Sequence, residues 1–282
     1  MLVDFVNKDG KKDSYHLADW TWEQMKKIKK NINKKDTDYV AIVDGLEGGG
    51  KSTFATQLAK SVDPTFNEER MCLKPDELIE QINKAGQGQA IVFDEAFTGL
   101  ASRRALSQVN SLIVELMMEM RKKNLFVIIC IPSVFYLEKY VALHRARALF
   151  HCYLSKGRRG QYLVYNHKKL KQLYLMGKRT MSYSRPRVNV KQRFPSCAPI
   201  DWEKYEGRKI SALKAKDRST RSQKHMAQRD FLIYYLHDTG FSAAKIGKLM
   251  KDNNYALTSS AIRDIIIKMK PDFTPGTLEM SK

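Results

Sequence analysis

The segment Gly45 to Ser52 constrains the fold of this chain more than any other part of the sequence. It reads Gly-Leu-Glu-Gly-Gly-Gly-Lys-Ser and fits the pattern G-x-x-x-x-G-K-[ST] at every position. An apolar run at 39–43 precedes it and a helix-forming segment at 51–61 follows it, which is the strand–loop–helix context that the pattern requires. Glycines let the backbone curl so that N–H groups point at phosphate oxygens, and a helix N-terminus favours an anion. The segment, called the phosphate loop below, therefore predicts a nucleoside-phosphate site.

The phosphate loop also predicts individual roles. Lys51 is expected to reach the β- and γ-phosphates and to take part in catalysis, and Ser52 is expected to bind Mg²⁺. ATP and Mg²⁺ are the predicted cofactors. The full set of expected nucleotide contacts in this segment is Gly45, Glu47, Gly48, Gly49, Gly50, Lys51, Ser52 and Thr53.

Two acids end the apolar run at 90–93. Asp94, at the tip of this predicted strand, is expected to bind the metal with Ser52. Glu95 is expected to orient the attacking water or to accept its proton, because positioning is most of the catalysis in phosphoryl transfer. These two carboxylates predict a hydrolytic site rather than a site for phosphate binding alone.

The hydrophobic pattern predicts an α/β domain. Short apolar runs at 39–43, 90–93, 125–131, 148–154 and 161–165 are typical of buried strands, and helical spacing is found at 51–61, 76–85 and 102–123. Alternating strands and helices predict a mainly parallel sheet. The predicted domain organisation is a basic N-terminal arm at 1–38, a P-loop ATPase domain at 39–180, a basic linker at 181–220, a small all-α domain at 221–270 and a tail at 271–282.

The charge of the chain is unevenly distributed. Residues 1–100 hold 14 basic and 17 acidic residues, whereas the remaining residues hold 36 basic and 13 acidic ones. Residues 139–200 contain no carboxylate side chain and 15 Lys or Arg residues. Such a segment attracts polyanions, so double-stranded DNA is the predicted partner, with Arg158, Arg159, Lys168 and Lys169 as contacts. No apolar run approaches the length of a membrane span, and no membrane partner is expected.

Three short helical segments are predicted near the C-terminus, at 223–238, 243–250 and 261–269. In the first, residues 231, 232, 235 and 236 are expected to face inward. The pattern is typical of a helix-turn-helix domain whose last helix enters a major groove, with Arg263 and Lys268 as DNA contacts. A helical bundle for oligomerisation or protein docking is the alternative.

Two further residues are candidates for the nucleotide site. Ser133 follows the run at 125–131 and is expected either to sense the γ-phosphate or to cap a helix at 134–140. Arg145 is a candidate arginine finger that would reach the nucleotide of a neighbouring subunit, as are Arg103, Arg104 and Arg147. DNA contact or ordinary surface charge is the alternative for each of these arginines.

These motifs resemble those of the P-loop ATPases in which the second motif ends in Asp-Glu and an added strand lies between the two motif strands. The order of elements over residues 38–165 is similar to that of the DNA-pumping motors that include FtsK, HerA and viral genome-packaging ATPases. The resemblance implies a homo-oligomeric ring or filament that couples ATP hydrolysis to DNA movement, with other viral or mobile-element proteins as partners. ATPase regulators of transposition are a second possibility, in which the chain would be an assembly switch on DNA.

Glu47 departs from this pattern, because an acid inside the phosphate loop repels phosphate. The loop is similar in this respect to that of thymidylate kinases, where the acid contacts the nucleoside sugar. A nucleotide kinase is therefore a third hypothesis, although those kinases carry an Asp-Arg pair where this chain has Asp94-Glu95. The four cysteines are widely separated and predict reduced thiols and a cytoplasmic location, in the host if the chain is viral.

Overall fold

The computed structural model describes residues 1–94, 114–116, 119–253 and 257–269. The chain divides into two compact units, Met1–Lys209 and Ile210–Lys282. The first unit contains a seven-stranded sheet, and the second consists of helices. The α/β class predicted from the sequence is confirmed, with a mostly parallel sheet.

The first unit is built on strands that follow the predicted apolar runs. In chain order they are β3 (Tyr39–Gly45), β4 (Met71–Cys72), β5 (Ala90–Phe93), β6 (Phe126–Ile131), β7 (Ala146–Ser155), β8 (Arg158–Asn166) and β9 (Val190–Arg193), and they lie in the order β4-β5-β6-β3-β7-β8-β9. The pairs from β4 to β7 are parallel, and β8 and β9 are added antiparallel. Strand β6 thus lies between the strand that precedes the phosphate loop and the strand that precedes Asp94.

Both faces of the sheet are covered, which explains why the central strands are apolar at every position. Successive residues of β3 alternate between two cores: Val40 and Ile42 pack on one face, and Ala41 and Val43 on the other. The helices of this unit are α1 (Asp19–Lys34), α2 (Lys51–Val62), α3 (Pro75–Lys84) and α4 (His167–Gly177). Helices α1 and α2 contribute to the core that contains Ala41, and α3 and α4 to the core that contains Val40.

The N-terminal segment, predicted as a basic arm, is an integral part of the first unit. Strands β1 (Leu2–Val6) and β2 (Lys12–His16) form an antiparallel hairpin that precedes α1. The Tyr15 hydroxyl donates to the Gln57 carbonyl over 2.6 Å, and Thr21 and Tyr162 share a hydrogen bond of 2.8 Å. The apolar residues alternate with the charged ones, so the segment buries one face while its lysines remain in solvent.

The segment predicted as a linker also belongs largely to the first unit. Strand β9 extends the sheet, and the Phe194 ring packs on the Phe54 ring of α2 at 4.7 Å between centroids. The unit continues to Lys209, inside helix α5 (Trp202–Asp238). A strand with a single apolar residue gives too weak a pattern to be recognised, which is why β9 was missed.

The second unit contains the end of α5, α6 (Ala243–Asp252) and α7 (Ser259–Met269). Its small core is centred on Ile233, Ile246 and Ile262. The expected inward face of the first segment is wrong for three of its four residues, since Phe231, Leu232 and Tyr235 are 45 to 57% exposed. Leu236 packs against the core as expected, and Ile233 is buried in it, so the inward face is rotated relative to the prediction. The helix-turn-helix assignment stays a prediction.

Within the described part of the chain, no helix has the length and apolar composition needed to cross a membrane. The four cysteines are free thiols, and Cys72, Cys130 and Cys152 are buried.

Candidate functional site

The phosphate loop connects the end of β3 to the start of α2, as the sequence predicts. Three of its glycines have positive φ: Gly45 at 134°, Gly48 at 74° and Gly50 at 88°. At Gly45 a Cβ atom would lie only 1.9 Å from the Cys152 carbonyl oxygen, because β7 passes directly beside it. The curled backbone therefore depends on glycine both for its conformation and for its close contact with the neighbouring strand.

Helix α2 begins at Lys51, and its N-cap residue is Gly50. No side chain of the described residues caps the N–H groups of its first turn. The Lys51 ammonium donates hydrogen bonds to the carbonyl oxygens of Gly45, at 2.9 Å, and Leu46, at 3.0 Å. The lysine thus lies folded across its own loop. A helix N-terminus and an adjacent ammonium form a site that favours a polyanion.

Asp94 lies at the same edge of the sheet, because the carboxyl ends of parallel strands meet there. It follows β5 directly, is 1% exposed, and its N–H donates to the Cys72 carbonyl at 2.8 Å. A carboxylate and a hydroxyl are the hard oxygen ligands that Mg²⁺ prefers, so Asp94 and Ser52 fit the predicted metal. No cluster of three or more His, Cys, Asp or Glu residues occurs among the described residues, so substrate oxygens and water would complete the Mg²⁺ shell.

Tyr205, on the first turn of α5, reaches into this predicted metal site. Its hydroxyl donates a hydrogen bond to Asp94, and the side chain is 1% exposed. Burial and the nearby Asp94 carboxylate raise the pKa of Tyr205 far above its usual value, and a hydrogen bond with Ser52 partly opposes this shift. The neutral phenol therefore contacts both predicted metal ligands.

The first turns of α5 are fastened to the rest of the unit on both sides of Tyr205. Lys204 forms an ion pair with Glu68 at 2.7 Å, and Arg208 forms one with Glu77 at 3.0 Å. Asp201 caps the helix by accepting the N–H of Lys204 at 3.1 Å. These contacts hold the start of α5 in the position at which the Tyr205 side chain meets Asp94.

A cavity of about 330 Å³ opens above the phosphate loop and is called the front cavity. Its lining includes the loop residues Glu47, Gly48, Gly50, Lys51, Ser52 and Thr53, together with Asp94, Arg159, Trp202 and Lys209. The structure therefore brings most of the predicted nucleotide contacts to one cavity. Arg159, predicted as a DNA contact, lies at this cavity, and it is placed there by the turn between β7 and β8.

Ser133 lies near the loop but is engaged in other contacts. Its hydroxyl accepts from the N–H of Phe135 and shares a 2.8 Å hydrogen bond with Tyr183. The capping alternative is thus observed, on a single 3₁₀ turn (Val134–Tyr136).

Asp44, the residue before the phosphate loop, is fully buried behind it. It accepts from Tyr183 at 2.5 Å, from the Val134 N–H at 2.8 Å and bonds His151 Nδ1 at 2.8 Å. Burial and the Asp44 charge raise the pKa of Tyr183. This cluster holds the end of β3 against β6 and β7.

Arg145 is not brought to the site. Its guanidinium forms a largely buried ion pair with Asp38, which precedes β3, whereas the phosphate loop follows β3. The strand is seven residues long, so the two ends lie about 20 Å apart. The arginine-finger prediction places Arg145 at the nucleotide of a neighbouring subunit and stays a prediction, and that role would require this ion pair to break.

Glu95, Arg103 and Arg104 lie outside the described residues, so the predicted water-activating role of Glu95 stays a prediction. Of the other expected DNA contacts, Arg158, Lys168, Arg263 and Lys268 are exposed. Lys169 is partly buried, and its ammonium donates to the Val188 carbonyl at 3.0 Å. It is thus less available to a phosphate backbone than the other four residues.

Tyr205, Trp202 and Tyr183 contribute to the site or its support, and the sequence analysis identified none of them. Each lies in the segment interpreted as a linker. The only available signal was the aromatic content of a segment otherwise rich in cations, including Trp202 and Tyr205 close together at 202–205.

Comparison with known proteins gives no assignment. No family model matches the sequence, and neither the curated proteins nor the solved structures contain a significant match.

Proposed function

We propose that this chain binds ATP with Mg²⁺ at the phosphate loop and hydrolyses it. The observation that carries the proposal is the convergence of three features at one cavity: the glycine-curled loop, the uncapped N-terminus of α2 with Lys51, and the pair Ser52 and Asp94. Each feature has a separate role in holding a triphosphate and its metal. A chance glycine-rich turn would not bring a buried carboxylate to the same cavity.

The residues of the chain have distinct tasks in this proposal. Loop N–H groups and the Lys51 ammonium bind the phosphate oxygens and stabilise the charge that develops on them. Ser52 and Asp94 would hold Mg²⁺, which supplies electrophilic stabilisation of the phosphate oxygens when bound. Glu95 orients the attacking water and accepts its proton.

We further propose that hydrolysis is coupled to double-stranded DNA, in a translocation or packaging motor that works as a homo-oligomer. The support is the acid-free basic segment at 139–200 and the exposed cations Arg158, Lys168, Arg263 and Lys268. Phosphate contacts by such residues supply sequence-independent affinity that weakens with salt. A DNA-bound assembly switch uses the same contacts but hydrolyses ATP slowly and forms ATP-dependent filaments.

Steady-state ATP hydrolysis, measured with and without duplex DNA at two salt concentrations, tests both parts of the proposal. We expect Lys51→Ala to abolish nucleotide binding and Glu95→Gln to retain binding while hydrolysis is lost. Several-fold stimulation by DNA that fades with salt supports the coupling. Normal turnover by Glu95→Gln contradicts the role given to Glu95.

Glu47 supplies the observation that favours the kinase as a second candidate. It is exposed and lines the front cavity. A kinase predicts transfer of the γ-phosphate to an added nucleoside or nucleotide and indifference to DNA. Phosphate transfer without DNA stimulation in the same assay would select it over the ATPase.

A further inference from the structure

A second cavity, of about 620 Å³ and called the side cavity, adjoins the front cavity. The two share Gly50, Thr53, Arg159 and Trp202 in their linings. Lys51, Ser52 and Asp94 line the front cavity, whereas Phe194, Ser196 and Glu206 line the side cavity. A ligand whose phosphates occupy the front cavity can therefore extend past Thr53 into the side cavity.

The walls of the side cavity differ chemically from those of the front cavity. Two aromatic residues, Phe194 and Trp202, contribute to them; Phe194 is buried and packs on Phe54 beside Gly50, so Trp202 is the more accessible of the two. The Trp202 ring lies 5.0 Å from the Tyr205 ring and is partly buried. Aromatic faces of this kind favour a flat ring over a phosphate chain.

Glu206 adds a directional hydrogen-bond acceptor. Its Oε1 atom accepts the indole N–H of Trp202 at 2.8 Å, which orients the carboxylate. An ionised carboxylate only accepts hydrogen bonds. The other carboxylate oxygen of Glu206, Oε2, therefore favours a ligand that carries a hydrogen-bond donor. Carboxylates line both cavities, and so does Arg159. Only the front cavity is lined by Lys51 and Ser52, the first two residues of α2, so the phosphates of a nucleotide are placed there.

We propose that the side cavity is the nucleobase site and that it selects a purine carrying an exocyclic amino group. Trp202 packs against the base, and Glu206 accepts a hydrogen bond from the amino group. The inference rests on the proposed function, because it places the phosphates of the same nucleotide on the phosphate loop. It assigns base recognition to the first turn of α5, the turn that also carries Tyr205.

Calorimetric titration of the full chain in EDTA, where hydrolysis cannot proceed, tests this site. The ligands are ATP, GTP, inosine triphosphate, which lacks both purine amino groups, and inorganic tripolyphosphate. We expect the wild-type chain to bind ATP or GTP roughly tenfold more tightly than tripolyphosphate, since stacking on one aromatic side chain contributes at about this level. Inosine triphosphate should bind with an intermediate affinity.

Substitutions at two residues separate the contribution of the aromatic ring from that of the carboxylate. In Trp202→Ala the affinity for ATP should fall to within about threefold of that for tripolyphosphate, whose own affinity is unchanged; Trp202→Phe should restore most of the difference. Glu206→Gln keeps the shape of an exposed side chain and an acceptor for Trp202, and should bring the affinities for ATP and inosine triphosphate together. Trp20→Ala, which removes an indole far in sequence and outside both cavity linings, is the matched control.

The outcomes distinguish this inference from the proposed function. If ATP and tripolyphosphate bind with equal affinity in a Lys51-dependent manner, or if Trp202→Ala leaves ATP binding unchanged, the nucleobase site is wrong while the phosphate site stands. If no ligand shows binding that Lys51→Ala abolishes, the phosphate site fails and the nucleobase site fails with it.

Discussion

The hydroxyl of Tyr205 donates a hydrogen bond to the buried carboxylate of Asp94, at the point where the proposed Mg²⁺ ligands converge. The two residues are far apart in sequence, and Ser52 also hydrogen-bonds the phenol. In this arrangement the tyrosine hydroxyl is a hydrogen-bond partner of the Asp94 carboxylate, and a metal ion must compete with that hydroxyl for the carboxylate oxygens.

Tyr205→Phe should therefore lower the Mg²⁺ concentration that gives half-maximal ATP hydrolysis, by roughly 3- to 10-fold, because the hydrogen bond to a charged group no longer competes. In the absence of metal the variant should be less stable by about 1–3 kcal/mol, since the buried carboxylate loses a partner. Hydrolysis titrated with Mg²⁺ and unfolding in EDTA measure the two effects. Tyr183→Phe, which removes a hydroxyl from the buried Asp44 instead, should reduce stability without lowering the Mg²⁺ requirement. An unchanged Mg²⁺ requirement in Tyr205→Phe would refute the competition.

Gly45→Ala should lower the free energy of unfolding by about 3 kcal/mol or more, because the added methyl group meets backbone and forces β3 and β7 apart. Gly48→Ala is the matched control, since no atom lies within 4 Å of its Cβ position and only its positive φ opposes alanine, at about 1 kcal/mol. Denaturant unfolding of the two variants gives the comparison. Equal destabilisation would mean that the contact of Gly45 with Cys152 does not limit this position.

The buried ion pair between Arg70 and Asp63 should stabilise the first unit in a pH-dependent manner. Burial raises the pKa of Asp63. Hydrogen bonds from Ala90 and Thr65 and the charge of Arg70 lower it by a larger amount, so the pKa of the folded chain lies below the usual value. The stabilisation is therefore present above about pH 4, the unfolded pKa, and is lost as the pH falls through the lower folded pKa.

Asp63→Asn measures this effect. We expect a loss of about 3–5 kcal/mol at pH 7, because Arg70 is left buried without its partner, and a difference from wild type that shrinks below about pH 4. Glu80→Gln removes an exposed ion pair with Lys84 and should leave stability unchanged at neutral pH. A constant difference down to pH 2 would show that the Asp63 charge is not responsible.

Thiol chemistry should distinguish Cys197 from the other cysteines. Burial raises the pKa of Cys72 to about 12 and raises those of Cys130 and Cys152 as well, and all three side chains are inaccessible. Cys197 is partly exposed. N-ethylmaleimide at pH 8 should therefore label one cysteine in the folded chain and four in denaturant, as counted by mass spectrometry, and none in folded Cys197→Ser. Fast labelling of Cys130 in the native chain would contradict its burial.

Local patterns predicted the elements that build the sheet. The runs at 39–43, 90–93 and 125–131 became β3, β5 and β6 because strands buried on both faces are apolar throughout. The phosphate loop was equally predictable, since its motif is local and three of its glycines have positive φ. The strands and the motif depend on near neighbours in the sequence, whereas the contact of Gly45 with Cys152 does not.

Features that depend on distant contacts were not predictable. A basic, proline-containing segment gives no indication that Phe194 packs on Phe54, or that Tyr205 reaches Asp94. Arg145 looked free because its partner Asp38 is brought to it only by the pairing of β3 with β7. The phase of the helix around Phe231 was misjudged for the same reason, since the residues that it packs against come from α6 and α7.

The position of Tyr205 late in the chain has a consequence during synthesis. The ribosome completes the phosphate loop, Asp94 and the sheet through β9 before it adds α5. Because roughly 110 residues separate Asp94, the later of the two ligands, from Tyr205, elongation at about 5–20 residues per second leaves an interval on the order of 5–20 s between them. Throughout that interval the nascent chain has the oxygen ligands but not the phenol that later binds them.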